Sequence, residues 1–232
     1  MTTADAATPA GPGVRARSSF ETQLGSLRED LLKMGALVKE AVTRSVEALR
    51  RQDLDLAQAI IDGDETVDDL EKDVEQKCLM LLALQQPMAA DLRFIGTALK
   101  TVTDLERIAD HAVDIAKIAL RIGHEPHIKP LVDIPRMAEV VESMLDDGLR
   151  AFVSRDVDLA LEVASRDDEV DHLYGQVFRE LLTYMLEDPR TIRQATHLLF
   201  AAQHLERVGD HVTNLSEWVL YLVKGEMRDL NP

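Results

Sequence analysis

The sequence predicts an all-α protein, built as a tandem repeat of two antiparallel three-helix bundles with six long helices. From Phe20 onward, apolar residues recur with the 3.6-residue period of helices, and strand-type alternation is almost absent. Aromatic residues make up only 4% of the chain, which is low for a β-sandwich. The helical segments also occur twice in the same order, and this internal repeat fixes the architecture.

The helix ends carry recognisable start and stop signals. Asp188 is expected to cap a helix, with Pro189 at the first helical position, and Gly225 is expected to end the last helix. The stretch 123–135 is rich in Gly and Pro and joins the two halves. The expected helices cover residues 20–51, 54–86, 89–122, 133–154, 156–187 and 190–224.

The repeat is visible in aligned segments. KMGALVKEAV…RRQDLDLA (33–57) aligns with RMAEVVESML…VSRDVDLA (136–160), and DLERIADHAVDIA (104–116) aligns with HLERVGDHVTNLS (204–216). Short internal loops make neighbouring helices antiparallel. The predicted organisation is a disordered tail (1–19), a first repeat (20–122), a linker (123–132), a second repeat (133–225) and a C-terminal tail (226–232).

Composition excludes several classes of protein. The chain has 26 Lys and Arg against 42 Asp and Glu, and the net charge of −16 disfavours nucleic-acid binding and binding to anionic membrane surfaces. A single cysteine, Cys78, excludes an intramolecular disulfide framework and is expected in the core. No uninterrupted apolar segment reaches the roughly 18 residues of a membrane-spanning helix. Residues 1–19 lack the apolar centre of a secretory signal. We therefore expect a cytoplasmic protein with no direct membrane insertion.

An acidic stripe borders the apolar face of the last helix in each repeat. Neighbouring carboxylates four residues apart on a helix repel by a few tenths of a kcal/mol, and Asp is a poor residue for a helix interior. Because the sequence accepts both costs twice, the stripe points to a function. The stripe consists of Glu106, Asp110 and Asp114 in the first repeat and of Glu206, Asp210, Asn214 and Glu217 in the second.

The preceding helix adds two more carboxylates to each repeat. In an antiparallel hairpin that turns at Pro87, Asp64 lies level with Asp110, and Asp68 lies level with Glu106. The hairpin therefore gathers four carboxylates at one level. The second hairpin turns at Asp188–Pro189 and gathers Asp167, Asp171, Glu206 and Asp210.

Four carboxylates at one level favour a bound cation, because their mutual repulsion raises some of their pKa values when no cation is present. Oxygen-only ligands suit Mg²⁺, Ca²⁺, Mn²⁺ or iron, and Zn²⁺ is a further candidate. Two alternatives stay open: the stripe is a solvated acidic face, or Arg107 and Arg207 neutralise it in place of metal.

Other patterns are weaker. His197, His204 and His211 follow one another at i, i+7 and i+14, but only the last has a histidine at its repeated position, so we expect packing or surface roles. Glu169 and His172 match the Glu-x-x-His of di-iron bundles, which need this motif twice. Neither a glycine-rich phosphate loop nor a Ser/His/Asp signature is present. The absence of a paired Glu-x-x-His and of an obvious general base argues against an enzyme.

The two ERxxDH blocks, preceded by PMAADLR (87–93) and TYMLEDPRTI (183–192), resemble the PhoU family of bacterial phosphate-transport accessory proteins over residues 20–225. The resemblance implies two three-helix bundles and metal binding through E(D)xxxD motifs. Asn214 departs from a pure carboxylate run, which implies a weaker second cluster or one that uses Glu217. The motifs map onto Glu106, Asp110 and Asp114, and onto Glu206, Asp210 and Asn214.

The resemblance also implies a function. It suggests a non-enzymatic, cytoplasmic homodimer that restrains phosphate uptake and the phosphate-starvation response when phosphate is plentiful. The implied partners are the ATPase subunit of the phosphate ABC transporter and a phosphate-sensing histidine kinase. Two other functions remain possible on the residues alone: a carboxylate-bridged metalloenzyme, and a helical adaptor that binds no metal.

Overall fold

The computed structural model describes residues 12–231, and the side chains of residue 17 and of residues 19–231. Over this range the chain forms α-helices, one short 3₁₀ helix and no β-strand, so the predicted all-α class is confirmed. None of the helices between residues 12 and 231 is long and apolar enough to cross a membrane. The α-helices are α1 (Pro12–Arg51), α2 (Leu54–Gly63), α3 (Glu65–Gln85), α4 (Ala90–Ile122), α5 (Asp133–Ser154), α6 (Val157–Ser165), α7 (Asp167–Glu187) and α8 (Ile192–Lys224).

The two repeats share one hydrophobic core. Helices α1 to α4 form the first repeat and α5 to α8 the second, and the repeats meet where α4 packs against α8 and α1 against α5. One continuous cluster of buried apolar side chains runs through both. The ring of Phe94 from α4 stacks on that of Phe152 from α5, with centroids 5.8 Å apart. Cys78 is fully buried, as predicted.

The first helix begins earlier than predicted. Of the predicted tail, residues 1–11 lie outside the described residues, whereas residues 12–19 continue α1, so the boundary at residue 19 is wrong. Arg17 forms ion pairs with Glu21 of the same helix (3.0 Å) and with Asp91 of α4 (2.9 Å), and the second pair links this part of α1 to α4.

The second predicted helix of each repeat is divided by a bend. The segment 54–86 separates into α2 and α3 at Asp64, and 156–187 separates into α6 and α7 at Arg166. Both bend residues keep right-handed helical dihedrals (φ −60°, ψ −39° and φ −78°, ψ −13°), so a single residue separates the two helices. The bend places Asp64 and Asp167 at helix N-termini, where the helix dipole favours a carboxylate.

The connection between the first two helices is built in the same way in both repeats. Gln52 and Arg155 adopt left-handed conformations (φ 56° and 57°), which end α1 and α5. Asp53 and Asp156 then cap the next helices by accepting the backbone N–H three residues later, at 2.9 and 3.0 Å. The aligned segments RRQDLDLA and VSRDVDLA therefore encode one repeated structural unit.

The predicted turn signals are confirmed. The Asp188 carboxylate accepts the N–H of Arg190 at 3.0 Å and caps the 3₁₀ helix Pro189–Thr191, which leads into α8. Gly225 ends α8 with φ 77°. The first hairpin turns at residues 86–89, between α3 and α4, so both hairpins reverse where the level pairing requires.

The linker and the C-terminal segment are both held against the helices. The side chain of Gln194 donates to the Pro126 carbonyl (3.0 Å) and accepts the Ile128 N–H (2.7 Å), which fixes the linker on α8. Residues 226–231 turn back over the second repeat, where the Leu230 N–H donates to Glu217 Oε1 at 2.8 Å. The segment that follows α8 thus reaches the acidic stripe.

Candidate functional site

The apolar arc predicted for α4 and α8 faces the core, and the acidic stripe lies along its edge. Leu105, Ile108, Leu205 and Val208 are buried. The carboxylates next to them are half-buried, because they stand where the helix surface leaves the core. Partial burial makes each charge costly and strengthens the repulsion between neighbours.

The first hairpin brings together Asp64 and Asp68 with Glu106 and Asp110, and we call these four residues the first carboxylate set. Burial, followed by the charge of Asp110, raises the pKa of Glu106 to about 7. Burial, followed by the charges of Asp68 and Asp110, raises the pKa of Asp64. The residues that the sequence placed level with each other, Asp64 with Asp110 and Asp68 with Glu106, are therefore near enough for their charges to interact.

Glu71 is a fifth acid beside the first carboxylate set, and the sequence analysis did not identify it. Burial raises the pKa of Glu71, and the charges of Glu75 and Asp68 raise it further. Its own charge acts on Glu106. Glu71 follows Asp68 by three residues, so helical spacing alone could have found it. A search for duplicated acids passes over it, because its counterpart in the second repeat is Tyr174.

Arg107 partly neutralises the first carboxylate set. Its Nη1 lies 3.1 Å from Asp110 Oδ2, and its Nε lies 3.4 Å from Glu106 Oε2. The Arg107 side chain is 55% exposed, so solvent screens both ion pairs and each stabilises the protein only weakly. The pKa of Glu106 stays raised despite this neighbour.

The second carboxylate set, formed by Asp167, Asp171, Glu206 and Asp210, has the same plan with one acid more deeply buried. Burial, followed by the charges of Asp210 and Asp171, raises the pKa of Asp167 to about 7. Burial also raises the pKa values of Glu206 and Asp210. Gly209 makes room for Asp167, since a Cβ there would lie 2.6 Å from Asp167 Oδ1.

The C-terminal segment contacts the second carboxylate set directly. The amide nitrogen of Asn231 donates to Asp167 Oδ2 at 2.9 Å and to Asp210 Oδ1 at 3.0 Å. One neutral donor thus bridges two acids that belong to different helices. A bound cation would bring the same two oxygens together.

Two of the predicted second-repeat ligands point elsewhere. The amide nitrogen of Asn214 donates to Asp104 Oδ1 at 3.2 Å, across the interface with the first repeat. Glu217 accepts the backbone N–H of Leu230. The stripe spacing placed both residues near Asp210, but contacts made by other elements draw their side chains away, so neither joins the second carboxylate set.

Asp114 also leaves the group predicted for it. Its Oδ1 pairs with Lys117 at 3.1 Å, and its Oδ2 lies 4.0 Å from Nε2 of His204 on α8. Its charge still raises the pKa of Asp64, but less than the charges of Asp68 and Asp110 do. Asp114 therefore lies between the first carboxylate set and the interface of the two repeats.

Three histidines meet at that interface, and we call His111, His204 and His211 the imidazole cluster. The Nδ1 atoms of His204 and His111 are 3.2 Å apart, and the rings of His111 and His211 have centroids 5.6 Å apart. His211 Nδ1 lies 3.0 Å from Asp104 Oδ1. Burial, then the neighbouring His204 and His211, lowers the pKa of His111 to about 4.

The sequence indicated packing or surface roles for His204 and His211, and it missed their contact with His111. The contact joins α4 to α8, whereas periodicity describes one helix at a time. A signal was present: positions 104 and 204 hold Asp and His, and positions 111 and 211 both hold His. In the part of the chain that the structure describes, His111, Asp114 and His204 are the one group of three metal-binding side chains whose ligand atoms all lie within 4.8 Å. The carboxylate sets are more open.

Comparison with known proteins agrees with the duplicated fold. The family model described as PhoU domain matches twice, at residues 31–119 and 134–219. A protein named phosphate-specific transport system accessory protein PhoU homolog, from Clostridium acetobutylicum, is 45% identical over 216 residues, which are 93% of this chain and 99% of that protein. The protein of the same name from Aquifex aeolicus is 46% identical over 205 residues, which are 88% of this chain and 93% of that protein.

Solved structures give the same result. The crystal structure of PhoU from Pseudomonas aeruginosa has a TM-score of 0.86 and 40% identity, and covers 89% of this chain and 100% of that one. The phosphate transport system regulatory protein PhoU from Streptococcus pneumoniae has a TM-score of 0.85 and 31% identity, and covers 90% of this chain and 99% of that one. The fold and the duplicated acidic hairpins thus define the class of duplicated helical bundles. Within that class, the chain belongs to the PhoU family.

Proposed function

We propose that this protein is an accessory and regulatory protein of phosphate transport that restrains the phosphate ABC transporter and phosphate-starvation signalling when phosphate is plentiful. The observation that carries the proposal is the match of the PhoU domain to both repeats, together with relatives named as transport accessory proteins over almost their whole length. The family is one of accessory proteins rather than enzymes, in agreement with the sequence-based expectation.

We propose a cytoplasmic homodimer whose partners are the ATPase subunit of the transporter and a phosphate-sensing histidine kinase. Support for a protein partner comes from apolar side chains exposed at the hairpin ends. Leu84, Met88 and Leu186 are 75%, 79% and 76% exposed. Because α4 and α8 are antiparallel, with Arg93 beside Leu222 and Arg193 beside Arg121, the two hairpins lie at opposite ends of the protein. Exposed apolar side chains at each of these ends are typical of a surface that contacts another protein.

Physiology tests the regulatory role. Deleting the gene should raise phosphate uptake or starvation-gene expression in phosphate-replete medium, because the restraint is removed. Uptake is measured with labelled phosphate and expression with a starvation-promoter reporter, and re-expression of the gene is the control. Unchanged uptake and unchanged expression, in a strain without a paralogue, would contradict the proposal.

We also propose that the two carboxylate sets bind Mg²⁺, Mn²⁺, iron or Zn²⁺. The acids fit this role because the pKa values of Glu106 and Asp167 are raised to about 7 by burial and by the charges of the neighbouring carboxylates. A cation removes that repulsion, and a ligand that binds only the native state stabilises it. The ion would hold α3 to α4 and α7 to α8 and so stiffen the surface offered to a partner.

Chelation tests the metal proposal. Chelator should lower the melting temperature, and Mg²⁺, Mn²⁺ or iron should restore it. Asp110→Asn combined with Asp210→Asn should reduce this metal-dependent shift, while the stability of the metal-free form holds or rises because like-charge repulsion is relieved.

A metal-free adaptor is the alternative, and a specific observation favours it. Arg107 and Asn231 already satisfy carboxylate oxygens of the first and second sets. If the double variant loses equal stability with and without metal, the aspartates are structural hydrogen-bonding and ion-pair partners. The metal proposal would then be withdrawn, and the regulatory role would rest on the deletion phenotype alone.

A further inference from the structure

The contact between His111 and His204 has the spacing of two ligands on one metal ion. Their Nδ1 atoms lie 3.2 Å apart, one on α4 and the other on α8. Two nitrogens bound to a tetrahedral Zn²⁺ at about 2.0–2.1 Å each are separated by about 3.3 Å. The two nitrogens therefore stand where a shared ion requires them, with the rings already tilted at 43° to each other.

Asp114 supplies a third ligand from the same helix as His111. Its Oδ2 lies 4.0 Å from Nε2 of His204, the ring nitrogen that does not contact His111, and Lys117 pairs with the other oxygen, Oδ1, so this carboxylate must turn toward the paired Nδ1 atoms to complete the site. Each of the three residues offers a ligand atom within 4.8 Å of the others. The side chain of Asp114 is 42% exposed and that of His204 is 23% exposed, so an ion can enter from solvent on this side.

The surroundings hold the imidazoles in place. The ring of His211 lies beside that of His111, and Asp104 fixes it through a 3.0 Å contact with Nδ1. Asp104 in turn accepts the indole N–H of Trp218 at 3.0 Å.

We infer that His111, His204 and Asp114 form a binding site for a transition-metal ion of the Zn²⁺ type at the junction of the two repeats, separate from the carboxylate sets. Imidazole nitrogen suits Zn²⁺, Co²⁺ and Ni²⁺, whereas Mg²⁺ takes oxygen ligands. The bound ion would tie α4 to α8, whereas each carboxylate set acts within one repeat. The inference is independent of the proposed function.

Cobalt titration in excess Mg²⁺ tests the site, because Mg²⁺ competes for all-oxygen sites and leaves imidazoles free. The full-length protein should bind one Co²⁺ with the strong visible absorption of a nitrogen-containing site below six-coordination, and Zn²⁺ should displace it. His204→Asn and His111→Asn should each weaken Co²⁺ affinity by more than about tenfold. Loss of a residue that only hydrogen-bonds to a metal ligand already weakens affinity about tenfold, and loss of the ligand itself should cost at least as much.

His197→Asn is the matched control, because His197 lies two turns before His204 on α8 and outside the group of three. It should bind Co²⁺ as the wild type does. The combination Asp68→Asn with Asp171→Asn should also keep the Co²⁺ absorption, even where it abolishes the Mg²⁺-dependent thermal shift, so this site and the carboxylate sets are tested separately.

Far-UV circular dichroism checks that each variant is folded. If a histidine variant unfolds, the half-exposed Asp114→Asn carries the test and should also weaken Co²⁺ affinity by about tenfold or more. The inference is overturned if wild-type protein gives only the weak absorption of cobalt bound to oxygen. It is equally overturned if folded His204→Asn, or Asp114→Asn in its place, binds Co²⁺ within about twofold of the wild type, since the paired nitrogens would then be an ordinary hydrogen bond.

Discussion

Gly209 and Ala109 stand at equivalent positions of the two repeats and differ by one methyl group. This difference changes the burial of the acid next to each, Asp167 and Asp64. A Cβ at position 209 would lie 2.6 Å from Asp167 Oδ1, so only glycine lets that carboxylate approach α8. Asp167 is 6% exposed, whereas its counterpart Asp64 is half-buried. The second carboxylate set therefore contains the most deeply buried acid among the residues whose side chains the structure describes.

The raised pKa of Asp167 gives the metal-free protein a pH dependence with a defined sign. The native state keeps this proton up to about pH 7, whereas the unfolded chain releases it near the ordinary pKa of an aspartate, 3.8. Stability therefore falls as pH rises between these values. In chelator, Asp167→Asn should match the wild-type melting temperature near pH 4 and exceed it by several degrees at pH 8.

The difference between variant and wild type isolates this group, because all other titrating residues, including His111, are present in both proteins. Asp73→Asn, at an exposed position inside α3, is the control for the loss of one negative charge. Parallel melting curves for wild type and Asp167→Asn across this range would show that the acid is solvated in solution.

The helices themselves could be predicted almost completely, and the reasons are local. Capping by Asp188, the stop at Gly225 and the apolar arc of α4 depend on residues close in sequence, so the pattern contains them. The bends at Asp64 and Arg166 could not be predicted, because both residues keep helical dihedrals and no loop of several residues separates the helices.

The candidate site was predictable only where it depends on one hairpin. Level pairing about Pro87 gave the first carboxylate set, since both helices and their turn are contiguous. Asn214, Glu217 and the imidazole cluster depend on contacts between segments far apart in the chain. No pattern within a single helix contains that information.

The segment that follows α8 is the element whose effect on the second carboxylate set can be tested directly. Asn231 donates to two of its acids, so a cation and this amide compete for the same oxygens. Asn231→Ala should cost the metal-free protein about 1 kcal/mol, the usual net value of such hydrogen bonds. It should also raise Mn²⁺ affinity at the second set, measured by calorimetry in an Asp110→Asn background that weakens the first set.

Met227→Ala is the control for this experiment, because Met227 lies on the same segment with its side chain exposed. It should leave Mn²⁺ affinity unchanged. Equal affinities for Asn231→Ala and its parent would mean that the amide does not compete with the ion.

At the scale of the whole molecule, duplication produced two units that are no longer independent. The repeats share one core through α4, α8, α1 and α5. Their equivalent positions have diverged where they meet: Asp104 stands opposite His211 and Asn214, and position 204 is a histidine. The interface thus joins unlike halves, and its polar contacts specify one register between α4 and α8.

Trp218 gives this interface an optical consequence. It is the single tryptophan of the chain, it belongs to the second repeat, and its indole N–H donates to Asp104 of the first. Indole emission shifts with the polarity and hydrogen bonding around the ring. The native chain therefore carries one intrinsic fluorophore at the junction of its two repeats. Its emission wavelength reports whether the repeats are in contact, and no added label is needed.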